Sequence, residues 1–181
     1  SLARKTGNYL PELVAREGAE RLLREGYDLP IPSHQETDWL DYQSLLGGEG
    51  LKMTPDALSD STLTAEIVST DARLFDEVQL RAAFFTTIST PSSTRLDLIQ
   101  ALVGLVALHE PMLADLRAYA DEPDLSVDEK RWLARGLWQA GDQGMAVALV
   151  DSLLQQPREK YSASQLVDLA TLSIQLQRPD A

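Results

Sequence analysis

The sequence predicts an all-α protein built from antiparallel helix pairs, and three observations carry that expectation. Two similar segments near the C-terminal end stand 36 residues apart: Leu133-Ala134 recurs as Leu169-Ala170, and the turn Ala140-Gly141-Asp142 has its counterpart in Leu176-Gln177-Arg178-Pro179-Asp180. A capping box pairs a Ser at the helix start with an acid or amide three residues on. It occurs at Ser126-Val127-Asp128-Glu129 and, 36 residues later, at Ser162-Ala163-Ser164-Gln165. Apolar residues also recur at spacings of three and four through most of the chain, the period of a helix with one buried face. A repeat that stops just after a turn reads as a piece of a longer array, which points toward holding partners rather than toward chemistry.

Taken in order, the first helix has Pro11 and Glu12 in its first turn and Gly26 beyond its end. Leu10, Leu13, Val14, Gly18, Ala19, Leu22 and Leu23 form its apolar stripe. Leu29-Pro30-Ile31-Pro32 cannot be helical, so Tyr27 to Gln35 is a connector. A short helix is expected from Asp38 to Leu46, capped by Thr37 and ended by Gly47-Gly48-Glu49-Gly50, with Trp39, Leu40, Tyr42 and Leu45 packing. Thr54-Pro55-Asp56 is a cap followed by a first-turn proline and opens another.

Between Ser61 and Thr90, Thr62 to Val68 and Phe84 to Ile88 are compatible with strands. A helix starting near Asp71 instead puts Leu74, Val78, Leu80, Ala83, Phe84 and Thr87 on one face, and it is preferred because a lone hairpin is marginal. Thr94 caps a helix through Leu108, with Gly104 allowing a close neighbour, and Pro111 starts the next. Residues 1–93 are therefore an irregular helical region. Residues 94–181 are repeats: 94–123 degenerate, 126–158 the best copy and 162–181 truncated.

The composition sets outer bounds. With 181 residues, 44% hydrophobic and 24% charged, the chain can bury a sizeable core. A net charge of −12 repels nucleic acid and anionic membrane and favours a partner with a basic surface. The absence of cysteine excludes disulfides and thiolate sites. The longest apolar stretch, Ala101 to Leu108, falls far short of a membrane helix, which needs roughly 18 residues. No signal peptide is visible at the N-terminus, although in a fragment this leaves the compartment open.

The unit from Val127 to Pro157 resembles a tetratricopeptide repeat. The resemblance rests on Leu133-Ala134, Leu137, Gly141-Asp142, Ala146 and Pro157, and a second copy carries Leu169-Ala170 and Arg178-Pro179-Asp180. Leu98 to Tyr119 reads as a degenerate copy, with Pro111 and Ala114 in matching places. The resemblance implies a right-handed superhelix of stacked pairs in which Leu133, Ala134, Leu137, Gly141, Ala146, Leu169 and Ala170 serve packing. The irregular repeats are also similar in style to large bacterial scaffolds that precede an outer-membrane barrel and help export exopolysaccharide. That likeness implies a periplasmic segment, continued by flanking repeats of the same parent chain, that docks polymer-modifying enzymes.

Catalytic signals are weak. The two histidines, His34 and His109, have no second ligand at metal-binding spacing, and no calcium loop is present, so neither metal nor cofactor is implied. Gly47 to Gly50 lacks the lysine of a phosphate loop. The acids around Asp121 to Glu129 read as a solvated face. A non-enzymatic scaffold is the leading expectation, with Arg131, Trp132, Arg135 and Trp138 as groove candidates, because Trp and Arg favour interface hot spots. Of the two tryptophans, one is expected to fill the groove between repeats and the other to present an anchor. The alternative is an all-α enzyme or regulatory domain with a pocket in its N-terminal half. A third reading, a polysaccharide groove, requires Trp39, Tyr42 or Tyr161 exposed beside carboxylates.

Overall fold

A computed structural model describes residues 45–53, 56–72 and 75–177. The expected helices around residues 10–26 and 38–44, the connector with His34, Trp39 and Tyr42, the Thr54-Pro55 cap, Leu74 and the turn at Arg178 to Asp180 lie outside the described residues. The chain divides into two compact units, Ser1–Thr90 and Pro91–Ala181.

The described part of the first unit is two helices around a small hairpin. Strand β1 (Leu46–Gly47) pairs antiparallel with β2 (Gly50–Leu51) across Gly48-Glu49. The glycine-rich stretch expected to end a helix therefore makes a turn between strands, and Leu46 belongs to β1. Pairing continues outward. Lys52 N–H donates to the Leu45 carbonyl at 2.8 Å, and Asp60 N–H to the Leu51 carbonyl at 2.9 Å. With residues 52 and 59 bridged as extended backbone, the helix expected from Thr54-Pro55-Asp56 begins only at Ser61.

Helix α1 (Ser61–Asp71) is capped by Asp60, whose carboxylate accepts from Leu63 N–H at 2.9 Å. Its Thr64 is buried and fully used: the hydroxyl donates to the Asp60 carbonyl at 2.6 Å and accepts from Leu51 N–H at 2.8 Å. Gly50 sits at φ +121°, and a Cβ there would stand 2.6 Å from that hydroxyl oxygen. Helix α2 (Glu77–Ser89) is capped by Asp76 and buries Leu80, Ala83 and Phe84. The region is helical, as preferred, but in two helices rather than one from Asp71. Val78, expected on the packed face, is 72% exposed.

The second unit is helical throughout its described length. Helix α3 (Arg95–Ala107) starts from a capping box in which Thr94 and Asp97 exchange bonds. It ends in a Schellman turn: His109 N–H reaches the Val106 carbonyl and Glu110 N–H the Leu105 carbonyl, both at 2.9 Å. His109 takes the left-handed conformation, φ 65°, that this turn demands. Helix α4 (Leu113–Ala120) is short and buries Leu116. Helix α5 (Val127–Gln139) starts from the Ser126–Glu129 box and ends in the same turn, with Gly141 at φ 90° where the turn after α3 has His109.

Helix α6 (Gln143–Leu154) is capped by Asp142 and runs antiparallel to α5, so that Lys130 near the start of one bonds Ser152 near the end of the other at 3.4 Å. After Pro157 and one 3₁₀ turn (Arg158–Lys160), the Tyr161 hydroxyl donates to the Leu153 carbonyl and anchors the connector. Helix α7 (Ala163–Gln177) follows the Ser162–Gln165 box.

Helix α5 is the centre of this unit and packs against α3, α4, α6 and α7. Helix α7 in turn packs on α6 and α5. Ala134, Val150 and Leu172 join the three helices α5, α6 and α7 in one core, flanked by Leu149 and Leu176. The expected packing residues Leu133, Ala134, Leu137, Ala146 and Leu169 are all buried, and Gly141 shapes the turn. Ala170 departs from expectation: it is exposed, because it faces away from α5 and α6, and Leu172 is buried instead. On α4, Ala114 is likewise exposed, and Leu116 packs against α5.

Candidate protein-binding surface

The four groove candidates stand on α5, and their environments separate them. Trp132 is 4% exposed and therefore belongs to the core. Arg135 lies over its ring, guanidinium carbon 4.8 Å from the centroid, a cation–π contact that fixes the arginine on the face of the helix. Arg131 is largely covered. It bonds Asp128 at 3.1 Å and forms an ion pair with Asp168 of α7, so its charge is spent on holding two helices together. Trp138 is half-buried, one turn beyond Arg135. Arg135 and Trp138 are both partly exposed and stand three residues apart on α5.

Polar contacts near the helix starts tie α3 to α5 and α5 to α7. The Arg95 guanidinium, on the first residue of α3, donates to both oxygens of Glu129 from Nε at 2.7 Å and Nη2 at 2.9 Å. The same side chain reaches Glu122 at 3.2 Å and the Asp124 carbonyl at 3.1 Å. Glu129 is buried and also accepts from Ser126 N–H at 2.7 Å. Arg95, aided by Ser126 and opposed by desolvation, holds the Glu129 carboxyl down to about 2. Between α5 and α7, Gln165 donates to Asp128 at 3.0 Å beside the Arg131–Asp168 pair. At the opposite end, Arg117 of α4 pairs with Asp142 at 2.6 Å. The Met145 N–H and then Arg117 lower the Asp142 pKa.

Close packing depends on Gly136 of α5. A Cβ there would stand 2.6 Å from Val103 of α3 and 3.0 Å from Leu116 of α4. An open cleft of about 550 Å³ is lined by Glu122 and Asp124 after α4, by Lys130 of α5 and by Met145, Leu149 and Ser152 of α6. Sequence reasoning found neither Arg95, nor Gly136, nor this cleft. The only signal for the cleft was the pair Pro111 and Pro123, which bracket α4 and keep it short.

Among the described residues, no group of three or more His, Cys, Asp or Glu is placed to hold a metal ion, and no helix is long and apolar enough to cross a membrane. Tyr161 carries its hydroxyl into the connector bond rather than beside carboxylates. Comparison of the chain with models of known protein families, with curated protein sequences and with solved structures finds no match in any of the three.

Proposed function

We propose that the chain is a non-enzymatic helical-repeat scaffold that binds another protein through the α5 face carrying Arg135 and Trp138. The observation that supports it most is the packing of α5, which rests on the first helix of the preceding pair, on both neighbours in sequence, and on the first helix of the next pair. Contact between every second helix is how stacked helical hairpins build a continuous core, and such arrays act through a surface. The capping boxes at 94, 126 and 162 place the pairs 32 and 36 residues apart, around the tetratricopeptide period of 34.

The narrower reading is a right-handed tetratricopeptide-like solenoid, a segment of a longer repeat protein. Its acidic surface suits a basic partner, and the setting that its degenerate repeats fit is docking of enzymes in bacterial exopolysaccharide export. The test is affinity purification of the tagged chain from its source cells, beside a variant carrying Arg135→Glu and Trp138→Ala. A protein retained by the parent and lost from the variant, with helical circular dichroism unchanged, is the expected result. Identical protein sets from both would remove the assignment of this face.

A further inference from the structure

Helix α7 is packed on one side and bare on the other. Its outer stripe comprises Leu166, Val167, Ala170, Thr171 and Ile174, which recur at helical spacing and are all exposed, Val167 by 65% and Ile174 by 59%. The stripe has no charge: Asp168 is the one ionisable residue of the helix, and Arg131 pairs it on the packed side. The Thr171 hydroxyl is turned back onto the Val167 carbonyl at 2.9 Å, so it asks for no outside partner. A face of this kind, in a chain with 24% charged residues, is costly to leave in water.

The preceding repeat shows what covers such a face. Ala134 of α5 stands 36 residues before Ala170 and is fully buried, in one core with Val150 of α6 and Leu172 of α7. Ala146 on α6 is fully buried as well. Helix α6 is itself nearly uncharged, with Asp151 as its one acid.

Resting on the repeat reading above, we infer that the bare face of α7 is a docking surface for one antiparallel helix of the α6 type. Its occupant is the second helix of a following repeat. Such a helix presents an uncharged face with a small residue against Ala170 and β-branched or leucine side chains against Leu166 and Ile174. The face thus continues the α5–α6 interface by one repeat and extends the core of the array.

The test extends the full chain, after a short Gly-Ser linker, by a second copy of its own residues 143–157, so that the probe helix is tethered at high effective concentration. The extension is expected to raise the melting temperature by several degrees, and a scrambled extension is expected to leave it unchanged. Ala170→Arg, on an exposed position, should shift the melting temperature of the parent chain by less than about one degree and abolish the gain in the extended chain. No gain, or a gain that survives Ala170→Arg, would overturn the inference. So would a parent chain that sediments as a dimer and becomes monomeric with Ala170→Arg, because the stripe would then belong to a second copy. Loss of the co-purifying protein in the α5 variant is read separately, so either idea can fail alone.

Discussion

Between Leu45 and Thr90 the fold depends on contacts that occur once, such as the Gly50 approach to Thr64 and the two bonds of that hydroxyl. From Thr94 onward the same devices recur: three capping boxes, two Schellman turns, and cross-helix polar contacts at Arg95–Glu129 and Arg131–Asp168. The difference teaches how stability is distributed. A unit built from unique contacts loses its shape at one position. A unit built from recurring contacts spreads the load over neighbours and leaves surface positions free to vary.

That comparison can be broken at its closest packed point. Gly136→Leu forces a large side chain between Val103 and Leu116 and is expected to cost about 3 kcal/mol by overpacking, read as a lower denaturant midpoint. A loss below about 1 kcal/mol would mean that α3, α4 and α5 are not in close contact there.

The first unit offers a smaller break. Gly50→Ala meets both a positive φ and the Thr64 hydroxyl and is expected to cost about 2 kcal/mol, confined to residues 45–90. Gly48→Ala, with nothing within 4 Å of its added carbon, serves as the nearby control and should be close to neutral. Equal losses in the two variants would contradict the role given to Thr64.

The polar contact between repeats is sharpened by pH. Glu129 has a folded pKa held near 2 against an ordinary 4.5, so its contribution is full above about 4.5 and lost as pH falls toward 2. Glu129→Gln removes the charge and should cost about 1.5 kcal/mol at pH 7, with the gap to the parent closing through that acid window. A gap of constant size from pH 7 to 3 would show that the Arg95 pairing is not what stabilises the site.

Much of the helical structure after Thr94 was legible in the sequence because its signals are local. Ser126 and Glu129 announce a helix start within four residues, and Gly141 announces a turn by itself. What was hidden depends on residues far apart in the chain. The need for a glycine at Gly136 is set by Val103 and Leu116, which lie on two other helices, so nothing near it in the sequence announces it.

Arg131 reads as a groove cation until Asp168 is seen beside it, 37 residues on. Trp132 and Trp138 have the same local signal, and only burial tells the core ring from the accessible one. Ala170 matches Ala134 in sequence and yet differs in burial, because no helix among the described residues lies across it. The hairpin at Leu46 to Leu51 escaped because two-residue strands have no period to detect, and glycines end helices and turn strands alike.

Native-state hydrogen exchange of the full chain tests the repeat account most directly. Helix α5, packed against four helices, is expected to hold the slowest-exchanging amides of residues 91–177, while α7, packed on one side, exchanges faster and opens independently of α3. If α7 exchanged as slowly as α5, or if all five helices opened in one step, the reading of this unit as stacked repeats centred on α5 would be contradicted.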